Sequence, residues 1–134
     1  MQPLRLVIRY RDGMLLKGTT NNFAPAQSTF HLTPANGSRA SDSVTVKMDD
    51  LKAVFFVQTF EGKPKYDERK DFQPGDRVTG RKVQVHFRDG EVMTGSVMDY
   101  NPKTTGFFLF PADPASNNQR VFVLNSAVEK VSNT

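Results

Sequence analysis

The sequence predicts an all-β protein made of two tandem five-stranded units, and three observations carry that expectation. The stretch Arg9-Tyr-Arg-Asp-Gly-Met-Leu-Leu-Lys-Gly18 returns 77 residues later as His86-Phe-Arg-Asp-Gly-Glu-Val-Met-Thr-Gly95. Apolar and polar residues alternate in short runs separated by glycine, proline, asparagine and aspartate, which is the two-residue period of strands and turns. No segment shows the spacing of an amphipathic helix, although the connector leaves room for a helical turn.

The duplication sets the organisation. Residues Val7 to Val54 align without a gap against the positions 77 further on, with identities at Arg11, Asp12, Gly13, Gly18, Pro25, Phe30, Leu32, Pro34, Ala35, Val44, Val46 and Val54. That is 12 of 48 pairs, and a register kept this long indicates a repeated unit of about fifty residues. The expected division is a first unit over residues 1–59, a charged connector over 60–80 and a second unit over 81–134.

Each element follows from its residues. Leu6, Ile8 and Tyr10 alternate with Val7, Arg9 and Arg11, so a first strand has one apolar face before Asp12-Gly13; Val83, Val85 and Phe87 repeat this before Asp89-Gly90. Asp-Gly between two such runs is a hairpin signal, because glycine accepts the positive φ of a tight turn. The second strand passes through Gly18 or Gly95, where a missing side chain allows a sharp bend or a close backbone approach. The third runs from Thr29 to Thr33 or from Gly106 to Phe110 and ends at Pro-Ala. After a polar loop, a fourth strand, VTVKM or VFVLN, leads almost directly into a fifth, LKAVFFVQTF or AVEKV. The continuous apolar run Val54 to Val57 requires cover on both faces, so Phe55 or Phe56 is expected to pack against the other unit.

Composition narrows the class. The chain has 134 residues, no cysteine, and eleven Phe with three Tyr and no Trp, so it offers neither disulfides nor thiolate metal sites. Arg5, Arg9, Arg11 and Asp12 interrupt any leader-like apolar stretch, and nothing approaches a membrane span; the expectation is a soluble cytoplasmic protein. His31 and His86 occupy unmatched positions of the repeat, and no Gly-rich phosphate loop, nucleophile elbow or zinc-helix signature is present. The sequence therefore argues against an enzyme and against a cofactor.

Five short strands with a bend glycine in the second describe a small barrel of the Sm or SH3 type. Val83-Gln-Val-His-Phe-Arg-Asp-Gly-Glu-Val-Met-Thr-Gly-Ser-Val-Met-Asp-Tyr-Asn resembles the first Sm motif, and Arg120-Val-Phe-Val-Leu-Asn-Ser-Ala-Val128 is similar to the second. Sm-like proteins commonly bind single-stranded RNA, but their Asp-x-x-Met-Asn loop and Arg-Gly pair are replaced here by Asn101-Pro-Lys-Thr-Thr-Gly106 and Leu124-Asn125, and by Ala24-Pro-Ala-Gln-Ser-Thr29 and Met48-Asp49. Asn125 stands as the remnant of that site, or as a turn residue chosen for left-handed tolerance. Gly106 to Pro114 and Asn117 to Val123 look like an uncharacterised bacterial family with duplicated [Phe/Tyr]-[Lys/Arg]-Asp-Gly turns. Arg77 and Arg81 have the Arg-x-x-x-Arg spacing of PilZ-type barrels, which bind cyclic dinucleotides, without that family's second motif.

Binding is the expected activity. Lys plus Arg against Asp plus Glu counts 7 to 4 over residues 1–60, 7 to 5 over 61–82 and 4 to 5 over 83–134, so the net +4 lies in the first two segments. Arg9, Arg11 and Lys17 with Tyr66 are the candidates for a single-stranded nucleic-acid surface, which wants cations and exposed rings. Interleaved acids around Tyr66 weaken that field, as in a solvated linker, and the leading expectation is a protein partner, which small barrels take up through grooves or strand edges. Among Phe107, Phe108 and Phe110 alternation is expected to turn Phe108 opposite to its two neighbours, making it a candidate protein contact.

Overall fold

The structure is a computed structural model and describes residues 4–35, 43–61, 72–73, 78, 80–113 and 115–133. Its strands are β1 (Leu4–Tyr10), β2 (Leu15–Thr20), β3 (Thr29–Pro34), β4 (Val44–Lys47), β5 (Leu51–Val57), β6 (Arg81–Phe87), β7 (Val92–Val97), β8 (Gly106–Pro111), β9 (Asn118–Leu124) and β10 (Val128–Asn133). The chain is all-β. The strands form an open antiparallel sheet of ten in the order β10-β6-β7-β8-β9-β5-β1-β2-β3-β4. Within that order β10-β6-β7-β8-β9 matches β5-β1-β2-β3-β4 strand for strand, and β9 pairs with β5 to join them.

The glycines explain the local geometry. Gly13 and Gly90 have φ of +94° and +97°. Each donates its N–H to the carbonyl three residues back, Tyr10 or Phe87, and the preceding aspartate accepts from the backbone N–H of Met14 or Glu91. Asp-Gly is thus a side-chain-braced turn closed by a left-handed glycine. At Gly18 a Cβ would lie 2.3 Å from the Thr33 carbonyl oxygen, and at Gly95 one would lie 2.4 Å from that of Phe110. The expected close approach is therefore present at both positions.

Two boundaries differ from the sequence reading. Met48, Asn125 and Ala127, expected at strand ends, belong to single 3-10 turns, Met48–Asp50 and Asn125–Ala127, each joining two strands that do not pair with each other. The fifth strand stops at Val57, well short of Phe60.

Two cores lie on opposite faces of β5 and β9. Ala53, Phe55 and Val57 of β5, with Val121 and Val123 of β9, join Val83, Val85, Phe87, Val97, Phe107 and Leu109. Val54 and Phe56, with Phe122 and Leu124, join Leu6, Ile8, Phe30, Leu32 and Val46. Every residue of β5 is buried, which is what a strand with apolar residues at consecutive positions needs. Each phenylalanine so covered contributes roughly 1.5–3 kcal/mol. Phe55 sits in the core of β6–β10, and Phe56 in that of β1–β5 beside Phe122 and Phe108. No helix among the described residues is long and apolar enough to cross a membrane.

Candidate functional site

The nominated side chains do not converge. Arg9 lies 3.7 Å from Glu91 and over the Phe55 ring; Lys17 donates to the Phe60 carbonyl at 3.0 Å. Arg11 donates its backbone N–H to Asp50 across the first turn. Tyr66 and Arg77 lie outside the described residues. Phe108 is half-buried against Phe56 and Phe122, and shares the Arg120 guanidinium with Phe56. Its neighbours Phe107 and Leu109 point into the other core, while Phe110 is exposed. Asn125 is not left-handed, since no non-glycine residue described has a positive φ. Its Nδ2 instead donates to the carbonyls of Asn101 and Thr104, at 3.0 and 2.8 Å, tying the β7–β8 loop to the turn before β10. His31 faces Asn22 and His86 faces Ser132, and no group of three or more metal-binding side chains occurs among the described residues.

The two Arg-Asp-Gly turns have different surroundings. Tyr10 pairs with Leu51 and Arg9 with Ala53, which leaves Lys52 as the extra residue of a β-bulge. A bulge re-aims a side chain, and here it sends Lys52 out of the β1–β5 core and onto the second turn. Its ammonium donates to Asp89 Oδ2 at 2.7 Å and to Glu91 Oε1, and lies 4.7 Å from the Phe87 ring centroid. Burial disfavours the charge on Lys52, but hydrogen bonds and attraction from the two carboxylates outweigh it and hold its pKa above the ordinary lysine value. The hydrogen bond from Lys52, then that from the Glu91 backbone, lowers the Asp89 pKa. A cavity of about 100 Å³ remains beside this clamp, lined by Arg11, Lys52, Arg88, Asp89, Ser126 and Ala127.

Among the described residues the first turn carries no such cover. Tyr10, Arg11, Asp12, Met14, Leu15, Leu16 and Asp50 line an open groove of about 740 Å³. Met14 is 66% exposed and Leu15 50%, which is unusual for apolar side chains placed next to each other. Burial, then the nearby charges of Asp50 and Asp12, raises the Tyr10 pKa. At an offset of 77 residues Tyr10, Asp12 and Met14 correspond to Phe87, Asp89 and Glu91, the three residues that Lys52 touches. The groove is thus the open counterpart of a surface that the chain fills elsewhere with its own lysine.

Sequence reasoning took both turns as hairpins and missed this asymmetry. The available signal was the lysine inside the otherwise apolar run LKAVFFV, which had to leave the core or find acids.

Fold and groove define an antiparallel all-β protein that offers a surface groove beside a braced turn. Over residues 5–133 the chain matches the model of the Family of unknown function (DUF6982), and it belongs to that family. No curated protein and no solved structure matches it.

Proposed function

We propose that the protein is a non-catalytic binding module for another protein, built from two Sm/SH3-like five-stranded barrels over residues 1–59 and 81–134. Support for the tandem comes from the repeated strand order and from the matching geometry of Gly13 with Gly90 and Gly18 with Gly95. The observation that carries the binding reading is the groove at the first turn, where Met14 and Leu15 stand exposed although the equivalent surface is covered from within the chain. Small barrels bind extended segments through such grooves and the sheet edges beside them.

The test places a photo-cross-linking residue at Met14, at Leu15 and, as an exposed apolar control, at Met98 in the cells that make the protein. The expected result is a discrete protein adduct from the first two positions and none from Met98. Single-stranded RNA is the alternative partner, because Arg11 lines the same groove. Submicromolar RNA binding at physiological salt that falls on substitution of Arg9, Arg11 and Lys17, without a protein adduct at Met14, would overturn the protein reading.

A further inference from the structure

We propose that the groove accepts an extended segment of a partner protein carrying a lysine or arginine between apolar residues, added along β4 so that its cation lies over Tyr10 beside Asp12 and Asp50. This inference rests on the groove being a protein contact and specifies what the contact recognises.

The chain itself supplies the template. β5 lies along β9 and projects Lys52 from a bulge onto Phe87, Asp89 and Glu91. Shifted back by 77 residues, β9 becomes β4, and the receiving trio becomes Tyr10, Asp12 and Met14. Among the described residues β4 pairs with β3 alone and forms an outer edge of the sheet, and Val44 on it is 38% exposed. The backbone groups and the groove that β5 uses internally are thus available once more.

Charge selects the occupant. Asp12 and Asp50 line the groove, and no salt bridge to either carboxylate is found among the described residues. Arg11 lines the groove too, but it also borders the cavity beside Lys52 and Asp89, so the carboxylates are in excess. Met14 stands where the second turn has Glu91, so one of the two carboxylates that grip Lys52 is replaced by an apolar contact suited to the stem of a long cationic side chain. A ring below the cation completes the arrangement, with Tyr10 in the place of Phe87.

A second copy of this chain does not fit. Its free strand β10 is the counterpart of β5, and Val128 opposes Phe87 while Lys130 opposes His86, so Glu129 is its bulge residue. Docked in the same way, Glu129 would bring a third carboxylate to Asp12 and Asp50. The residues that follow it, Lys130, Ser132 and Asn133, replace Ala53, Phe55 and Phe56, removing the apolar contact that holds the internal junction.

The experiment measures fluorescence anisotropy of a labelled peptide with the sequence Leu51–Val57 against the full chain. Its partner probe carries Lys52→Glu. The lysine peptide is expected to bind about tenfold more tightly, the scale of one charge-assisted hydrogen bond. That preference should fall below about threefold in the Asp12→Asn, Asp50→Asn protein, because asparagine keeps the side-chain oxygen that braces the turn and removes only the charge. Equal binding of both peptides, weakened alike by Leu15→Ser, would overturn the cationic occupant and leave the protein-binding groove standing. Binding of neither peptide would also overturn the inference, while the cross-link at Met14 judges the groove separately. Self-association of the chain that Leu15→Ser abolishes would replace the foreign segment with a second copy.

Discussion

At the scale of single residues, Lys52 is the side chain whose role is most specific. It is 7% exposed, and its charge is tolerated because two carboxylates meet it. Lys52→Ala is expected to cost about 1–3 kcal/mol in chemical denaturation at neutral pH, and Lys52→Met less, because the stem is kept and the acids can rehydrate. The pH dependence has a definite sign. The lysine pKa is raised in the folded state, so its contribution is full below the unfolded lysine value near 10.4 and fades as pH rises through the folded one. The Asp89 pKa is lowered, so its share is full above the unfolded value near 3.9 and fades as pH falls through the folded one. The stability gap between the native chain and Lys52→Met should therefore be flat from about pH 5 to 9 and narrow at both ends. A gap that stays constant down to about pH 2 would show that the ion pairs contribute nothing. Asn125 makes a smaller case of the same kind. Asn125→Ala removes both donations to the β7–β8 loop and should cost about 1–2 kcal/mol by the same measurement.

At the scale of elements, the sequence was most legible where a residue type has a single geometric use. The two Asp-Gly turns and the two strand glycines were readable because only glycine meets a left-handed turn or the close approach of a neighbouring strand. They differ in kind, however. Gly13 is left-handed with open space around its missing Cβ, whereas Gly18 has ordinary φ and a carbonyl oxygen 2.3 Å from that Cβ. Gly13→Ala should cost about 1–2 kcal/mol of conformational strain, and Gly18→Ala about 3 kcal/mol or more, because Thr33 and Leu32 must move apart. Equal melting shifts for the two variants would show that the close approach of β2 and β3 is not a constraint. The less legible elements depend on partners distant in sequence. Lys52 was assigned no role, because the bulge opposite Tyr10 is what aims it at the second turn, and no local pattern announces a bulge. Asn125 looked like a left-handed turn residue, since the loop carbonyls it satisfies lie 21 and 24 residues away. Of the 3-10 turns at Met48–Asp50 and Asn125–Ala127, Met48 and Ala127 were read as strand ends because they are apolar, and they are buried like strand residues.

At the scale of the whole molecule, the question is whether the two halves of the sheet can fold apart. β5 answers it physically, since its odd-numbered residues from Ala53 to Val57 enter the core of β6–β10, while Val54 and Phe56 enter that of β1–β5. Separation would expose one of these sets along with the matching face of β9, and neither half would keep a complete core. Phe55 is the most direct probe, being 6% exposed and covered by residues of the later strands. Phe55→Ala should cost about 3–5 kcal/mol, whereas Phe110→Ala, at a side chain 37% exposed, should cost well under about 1 kcal/mol. Both variants are expected to unfold in one transition, with Phe55→Ala accelerating amide exchange in β1 and β2 as well as in β6 and β7, because β1 is hydrogen-bonded to β5 along its length. Exchange that quickens in β6 and β7 while β1 and β2 keep their native protection would mean that the halves open independently, and that the β5–β9 ladder joins two folded bodies without making them one cooperative unit.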